Sequence, residues 1–92
     1  MNGFENIQIS SPDELKKIFL LIAQKEKEGK ITQIINENDL FCTKISISEI
    51  LDKKKNPDFI RYYFQDLIDN NKYLLSVETY HGIGGSLEKL DG

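Results

Sequence analysis

The clearest pattern in the chain is a helical repeat of apolar side chains between residues 12 and 28. Four apolar residues fall at positions i, i+3, i+4 and i+7 and therefore share one helix face: Leu15, Ile18, Phe19 and Ile22. Ser11 is a favourable N-cap, Pro12 suits the first helical position, and Gly29 is a common residue just beyond a helix end. The sequence predicts one long amphipathic helix over residues 12–28.

Alternating apolar and polar residues predict strands on both sides of this helix. Ile7 and Ile9 alternate near the N-terminus and indicate a short first strand or a tucked arm. Segments 31–36 and 40–47 also alternate, and the turn-prone sequence "NEND" between them favours a β-hairpin.

Residues 46–54 fit a short helix. Ser46 and Glu49 have the spacing of a capping box, in which each side chain satisfies a free backbone N–H of the other residue. The alternative is a strand that continues through Ile47, followed by one helical turn from Ser48. The next sequence, "KKKNPDF", is predicted to form a solvated loop.

Residues 59–81 are compatible with a helix or with two paired strands. A helical period suits Phe59, Tyr62, Tyr63 and Asp66. A strand period suits Ile60, Tyr62 and Phe64, which alternate with Arg61, Tyr63 and Gln65. The density of aromatic residues favours sheet. We therefore predict a hairpin that turns at "DNNK", with one face of the return strand formed by Tyr73, Leu75, Val77 and Thr79.

Together these elements predict an α+β fold of two layers, in which one long amphipathic helix packs on a small, mainly antiparallel β-sheet. The 92 residues (1–92) are expected to form a single domain with a modest core. The expected core residues are Leu15, Ile18, Phe19, Ile22, Ile34, Phe41, Ile45, Ile60, Tyr62, Phe64, Leu75 and Val77.

Composition narrows the classes of function. The net charge of −3 argues against a nucleic-acid-binding protein, which normally presents a basic surface to phosphates. Cys42 is the only cysteine, so the chain has no internal disulfide and no Cys-x-x-Cys pair, and we expect it to be a small buried residue. The N-terminus does not resemble a signal peptide, and the longest apolar run, residues 18–23, is too short to span a membrane. A cytoplasmic location is the expectation.

The stretch "HGIGGS", residues 81–86, contains the only histidine and three of the six glycines. Phosphate binding is disfavoured because the glycine spacing does not match a phosphate-binding loop and no long helix follows. Catalysis would use His81 as a general base oriented by Glu78 or Glu88, yet no nucleophile has a recognisable setting. The remaining interpretation is a turn or an interaction surface at the end of a sheet, with Tyr80 half-exposed beside the histidine.

The segment "KYLLSVETYHGIGGSLEKL" resembles the C-terminal part of predicted immunity proteins of bacterial polymorphic-toxin systems. One such family has a similar terminus, in which an acid precedes a His-Gly-Gly-Gly run. The comparable positions here are Glu78, His81, Gly82, Gly84 and Gly85, with Ile83 inserted in the glycine run. The resemblance covers about one fifth of the chain. It implies a small cytoplasmic protein that binds and neutralises a cognate toxin.

We therefore predict a non-enzymatic protein-binding domain, a monomer or homodimer, with a toxin-neutralising immunity protein as its specific form. We expect no catalytic residue, metal, cofactor, nucleic acid or membrane contact. The candidates for partner binding are Glu78, Tyr80, His81, Gly82, Gly84 and Gly85. The alternatives are a small ligand-binding or hydrolytic domain that uses His81 and Glu78, and a structural subunit of a homo-oligomer.

Overall fold

The structure, a computed structural model, describes residues 6–53, 59–78 and 84–90 of the chain. Its elements are β1 (Ile7–Ile9), α1 (Pro12–Lys27), β2 (Ile31–Ile34), α2 (Ile47–Lys53), β3 (Phe59–Asp66), β4 (Lys72–Glu78) and β5 (Gly84–Leu90). The five strands form one antiparallel sheet in the order β1-β5-β4-β3-β2. Helix α1 packs on one face of this sheet, so the predicted two-layer α+β fold is confirmed.

Helix α1 begins and ends where its sequence signals predict. The Ser11 hydroxyl accepts a hydrogen bond from the Glu14 backbone N–H at 3.2 Å, which satisfies one of the free N–H groups of the first turn. Pro12 is the first helical residue. Gly29 follows the helix with a φ of +70°, a left-handed conformation that glycine adopts without a Cβ penalty.

The strand order requires α1 to cross the sheet. β1 and β2 lie at opposite edges, although α1 alone separates them in the chain. Four inter-strand spacings amount to about 19 Å. The 16 residues of α1 span about 24 Å, which is enough to cross the sheet diagonally. The helix therefore lays its apolar stripe over several strands at once.

The predicted hairpin of β3 and β4 is confirmed and forms the centre of the core. Its register places Ile60 opposite Val77 and Phe64 opposite Tyr73, so side chains of like polarity share a face. The rings of Phe64 and Tyr73 stack with their centroids 5.3 Å apart. In the turn, Asn70 adopts a φ of +64°, which asparagine tolerates better than most residues.

The core lies between α1, α2 and the face of the sheet that they cover. Most of the expected core residues are buried there. The buried apolar residues that the sequence did not single out as core are Ile9, Ala23, Ile31, Ile47, Ile50, Tyr63, Tyr73 and Leu87, and Cys42 is buried as expected. The prediction is wrong for Phe41 and Ile45, whose side chains are 71% and 41% exposed, and Ile34 is only half-buried.

The predicted hairpin of residues 31–36 with 40–47 is also wrong. β2 pairs with β3 instead, with Ile31 opposite Asp66 and Ile34 opposite Tyr63. Residues 35–46, the β2–α2 segment, contain no strand. Alternation shows that a segment can form a strand but not which strand it pairs with, and β3 is long enough to pair with β4 on one side and β2 on the other.

Helix α2 follows this segment and confirms the predicted capping residue. The Ser46 hydroxyl accepts a hydrogen bond from the Glu49 backbone N–H at 3.1 Å, so the short helix is formed rather than a strand that continues through Ile47. The backbone N–H of Ser48 also donates to the Glu26 carboxylate of α1 at 3.2 Å. The start of α2 is thereby fixed to α1.

The same Glu26 carboxylate connects the helix layer to the sheet. The hydroxyl of Tyr62 donates to Glu26 Oε2 at 3.0 Å. Burial of this hydroxyl, together with the negative charge of Glu26, raises the pKa of Tyr62. Tyr62 therefore stays protonated and donates the hydrogen bond that a buried hydroxyl requires.

β5 corrects the prediction for the glycine-rich stretch. Gly84 and Gly85 belong to a strand that lies between β1 and β4, not to a loop or a sheet edge. A Cβ at Gly85 would overlap the Ser76 carbonyl oxygen and lie 2.9 Å from the Val77 Cα. Position 85 therefore requires glycine, because the backbones of β4 and β5 approach each other closely there. Of the predicted loop 53–59, Lys53 ends α2 and Phe59 begins β3, and residues 54–58 fall outside the described residues, as do the predicted positions of Thr79, Tyr80, His81 and Gly82.

We predict that Phe64→Ala destabilises the fold by about 3–5 kcal/mol, because it leaves a cavity at a fully buried position. Phe41→Ala is the matched control and should change the free energy of unfolding by less than about 0.5 kcal/mol, since its side chain is largely exposed. Urea unfolding followed by circular dichroism measures both. Equal losses for the two variants would contradict the placement of β3.

We predict that Gly85→Ala destabilises the protein by about 1–3 kcal/mol, because the new methyl group must displace the β4 backbone. Gly84→Ala is the neighbouring control. Nothing lies within 4 Å of the Cβ that it would add, so it should leave the thermal midpoint almost unchanged. A thermal melt of Gly85→Ala that overlays the wild-type curve would show that β4 and β5 do not approach this closely.

Candidate functional site

The candidate site lies on the face of the sheet opposite the helices, which we call the open face. The alternation of β3 directs Arg61 and Tyr63 to this face, while Tyr62 and Phe64 face the core. Of the described residues, the β2–α2 segment contacts the open face from above. Tyr63 is buried although it faces away from the helices, because this segment covers it.

Three polar side chains hold the segment on the sheet, and we call them the Arg61 clamp: Asp39, Arg61 and Tyr63. Asp39 Oδ2 accepts one hydrogen bond from Arg61 Nε and another from the Tyr63 hydroxyl, each at 2.6 Å. Arg61 Nη2 donates to the Tyr63 hydroxyl oxygen at 3.3 Å. The three groups close a ring of hydrogen bonds between the sheet and the segment.

The charged groups of the clamp stabilise each other. The hydrogen bond from Tyr63, followed by that from Arg61, lowers the pKa of Asp39 from its ordinary value of 3.8 to about 2. The same carboxylate raises the pKa of Arg61. The side chain of Arg61 is thus engaged by Asp39 and Tyr63, so the clamp holds structure together and does not offer a free cation to an anionic ligand.

Backbone contacts fix the remainder of the β2–α2 segment. The Thr43 N–H donates to the Arg61 carbonyl at 2.9 Å, and the Arg61 N–H donates to the Thr43 hydroxyl at 3.0 Å. The Gln33 side chain donates to the carbonyls of Thr43 and Ile45 at 2.9 and 3.1 Å. The Asn36 N–H donates to the buried Cys42 sulfur at 3.4 Å. The segment is therefore held at several points along its length.

Apolar side chains project from this fixed segment. Leu40 is 92% exposed and its neighbour Phe41 is 71% exposed. Phe41 lies against Phe59 of β3, which is 53% exposed, with the two ring centroids 6.1 Å apart. We call Leu40, Phe41 and Phe59 the apolar ridge. Adjacent exposed apolar side chains of this size are typical of protein interfaces.

A shallow groove of about 430 Å³ opens on the other side of the same segment. Tyr63 forms its floor, residues 34–38 form one wall, and Lys72 and Leu90 lie across from them on β4 and β5. The ridge and the groove thus share the β2–α2 segment, and the clamp sets the geometry of both.

The structure places part of the predicted partner-binding set beside the ridge. Glu78 is exposed at the end of β4, opposite Gly84 on one side and opposite Phe59 of the ridge on the other. Gly85 is half-buried in β5 beside Gly84. Tyr80, His81 and Gly82 lie outside the described residues, so the proximity of Glu78 to His81 stays a prediction.

Sequence reasoning missed the residues that build the site. The sequence does contain a signal for Arg61 and Tyr63. They alternate with Ile60 and Phe64, which indicates that they lie on the second face of β3. The contribution of Asp39 had no local signal, because it lies 22 residues before Arg61 in the chain. Phe41 was assigned to the core on its alternation alone.

Within residues 6–53, 59–78 and 84–90, no group of three or more His, Cys, Asp or Glu side chains is arranged to hold a metal ion. None of the helices in this part of the chain has the length and apolar character needed to cross a membrane. Comparison of the chain with protein-family models, curated proteins and solved structures gives no match.

The low pKa of Asp39 predicts an acid-dependent loss of stability. A carboxylate with a depressed pKa stabilises the fold fully above its unfolded pKa of about 3.8, and this contribution is lost as the pH falls towards about 2. The free energy of unfolding should therefore decrease less between about pH 4 and pH 2 in Asp39→Asn than in the wild type. Urea unfolding at several pH values measures this difference.

The control for this experiment is Glu37→Gln, which removes a carboxylate from the same segment without touching the clamp. Its pH profile should run parallel to that of the wild type. A profile of Asp39→Asn that is also parallel to the wild type would mean that Asp39 is not held by Arg61 and Tyr63.

Proposed function

We propose that this protein is a non-enzymatic binding domain that recognises a protein partner through the apolar ridge. The observation that carries the proposal is the exposure of Leu40 and Phe41 on a segment that the Arg61 clamp holds in place, beside the exposed Phe59 of β3. Exposed apolar side chains on a fixed backbone lose little conformational entropy when they are buried by a partner. This arrangement is better suited to binding a protein partner than to catalysing a reaction.

The specific form of the proposal is a toxin-neutralising immunity protein. The resemblance of residues 72–90 to that class suggested it, and the ridge adds a surface that can cover part of another protein. Glu78, which belongs to the resembling segment, lies opposite Phe59 in the sheet, and Gly84 lies on the far side of Glu78. The net charge of −3 would favour encounter with a basic partner.

The alternative functions receive less support from the described residues. A hydrolytic role would need a pocket that contains Glu78 and His81, and His81 lies outside the described residues, so no described contact supports this role. A homo-oligomer remains an alternative because β1 and β2 are the outer strands of the sheet. No contact among the described residues favours it over a different partner.

We predict that the double variant Leu40→Asp, Phe41→Asp loses partner binding while it keeps its fold. Because these changes replace two apolar side chains of the ridge with carboxylates, they should raise the dissociation constant at least about thirtyfold, the loss typical of interface hot spots. The direct test is growth rescue by co-expression with a toxin encoded beside this protein, together with the dissociation constant of the purified pair. The wild type should rescue growth and the double variant should not.

Leu20→Asp is the matched control, because Leu20 is 51% exposed on α1, on the other side of the sheet from the ridge. It should rescue growth as the wild type does. Failure of the wild type to rescue growth would count against the immunity function. Equal binding by the wild type and the double variant would overturn the ridge as the binding surface.

A further inference from the structure

The groove beside the ridge has the dimensions of a peptide site. Its volume of about 430 Å³ lies within the range of ligand pockets, which is about 300–1,000 Å³. Its floor crosses β3, so Ile34 of β2 and Lys72 of β4 stand on strands two inter-strand spacings, or about 10 Å, apart. One extended polypeptide chain fits a groove of this width.

The apolar part of the groove comes from both walls. Ile34 and Leu90 are half-buried, and Ile35 is 45% exposed at the top of one wall. The ring of Tyr63 lies between them, held by its hydrogen bond to Asp39. These side chains are suited to contact one or two aliphatic side chains of a ligand.

The polar part of the groove is asymmetric. Lys72 supplies a cation on the β4 wall, and no ion pair between described residues engages its ammonium group. The opposite wall carries the side chains of Asn36, Glu37 and Asn38. An ammonium group donates hydrogen bonds to a carboxylate, whereas a glutamate or an asparagine carbonyl accepts hydrogen bonds from amide N–H groups.

A ligand that hydrogen-bonds to both walls has a carboxylate at one end for Lys72 and an apolar side chain next to it. Its amide N–H groups donate to the wall of Asn36, Glu37 and Asn38. We propose that the groove binds the carboxyl terminus of a polypeptide whose last residues are aliphatic, with the terminal carboxylate on Lys72. This inference rests on the proposed function, since it names the part of a protein partner that would lie beside the ridge.

The test uses the full chain and two synthetic peptides, N-acetyl-Leu-Leu-Leu with a free carboxylate and the same peptide with a C-terminal amide. Titration is followed by ¹H–¹⁵N correlation spectra. The carboxylate peptide should shift the amide signals of residues 34–38, Tyr63, Lys72 and Leu90. It should bind about fivefold more tightly than the amide peptide, the upper end of what one exposed ion pair contributes.

Lys72→Gln should abolish the preference for the free carboxylate. Lys89→Gln is the matched control, since Lys89 lies on the neighbouring strand, β5, but faces the other side of the sheet, and it should preserve the preference. The proposal is overturned if no saturable shifts occur in the groove, if both peptides bind equally to the wild type, or if the two lysine variants behave alike. Because the titration needs no partner protein, its failure would leave growth rescue through the ridge untouched.

Discussion

The architecture depends on β3, whose two faces are both covered. On one face Tyr62 and Phe64 are completely buried against the helices and the neighbouring strands. On the other face Tyr63 is buried by the β2–α2 segment. A buried hydroxyl and a partly buried guanidinium both need hydrogen-bond partners, and Asp39 Oδ2 accepts a hydrogen bond from each. The need of Arg61 and Tyr63 for hydrogen-bond partners therefore determines where the β2–α2 segment lies.

This constraint connects the fold to the candidate function. A segment without helix or strand would ordinarily lose many conformations on binding, which weakens a complex. Here the clamp and the Thr43 contacts with β3 fix the backbone in the free protein. The ridge and the groove both depend on this fixed backbone. Leu40 and Phe41 of the segment contribute to the ridge, and residues 35–38 line the groove.

Local sequence signals predicted the elements whose stability is local. The cap at Ser11, the apolar stripe of α1, the Ser46 cap of α2 and the turn between β3 and β4 all involve residues close in the chain. They could be recognised because capping and periodicity act within one or two helical turns or one hairpin. The α+β class followed from these elements alone.

The remaining features depend on distant partners and could not be predicted locally. Segment 40–47 alternates like a strand, yet the Thr43 backbone N–H donates to the Arg61 carbonyl of β3, and β2 pairs with β3 instead of with this segment. Asp39 pairs with side chains 22 and 24 residues away. Gly85 was expected in a turn or an interaction surface at the end of the sheet, whereas its lack of a side chain is required by the β4 backbone beside it. Each of these depends on tertiary packing, which overrides local pattern.

The central claim is that the β2–α2 segment is as rigid as the sheet to which the clamp attaches it. Backbone ¹⁵N relaxation of residues 36–43 in the free protein tests this directly. The account predicts order parameters near those of β3, about 0.85. Values below about 0.6, typical of a flexible loop, would contradict it, since they would mean that Asp39 does not hold the segment on Arg61 and Tyr63.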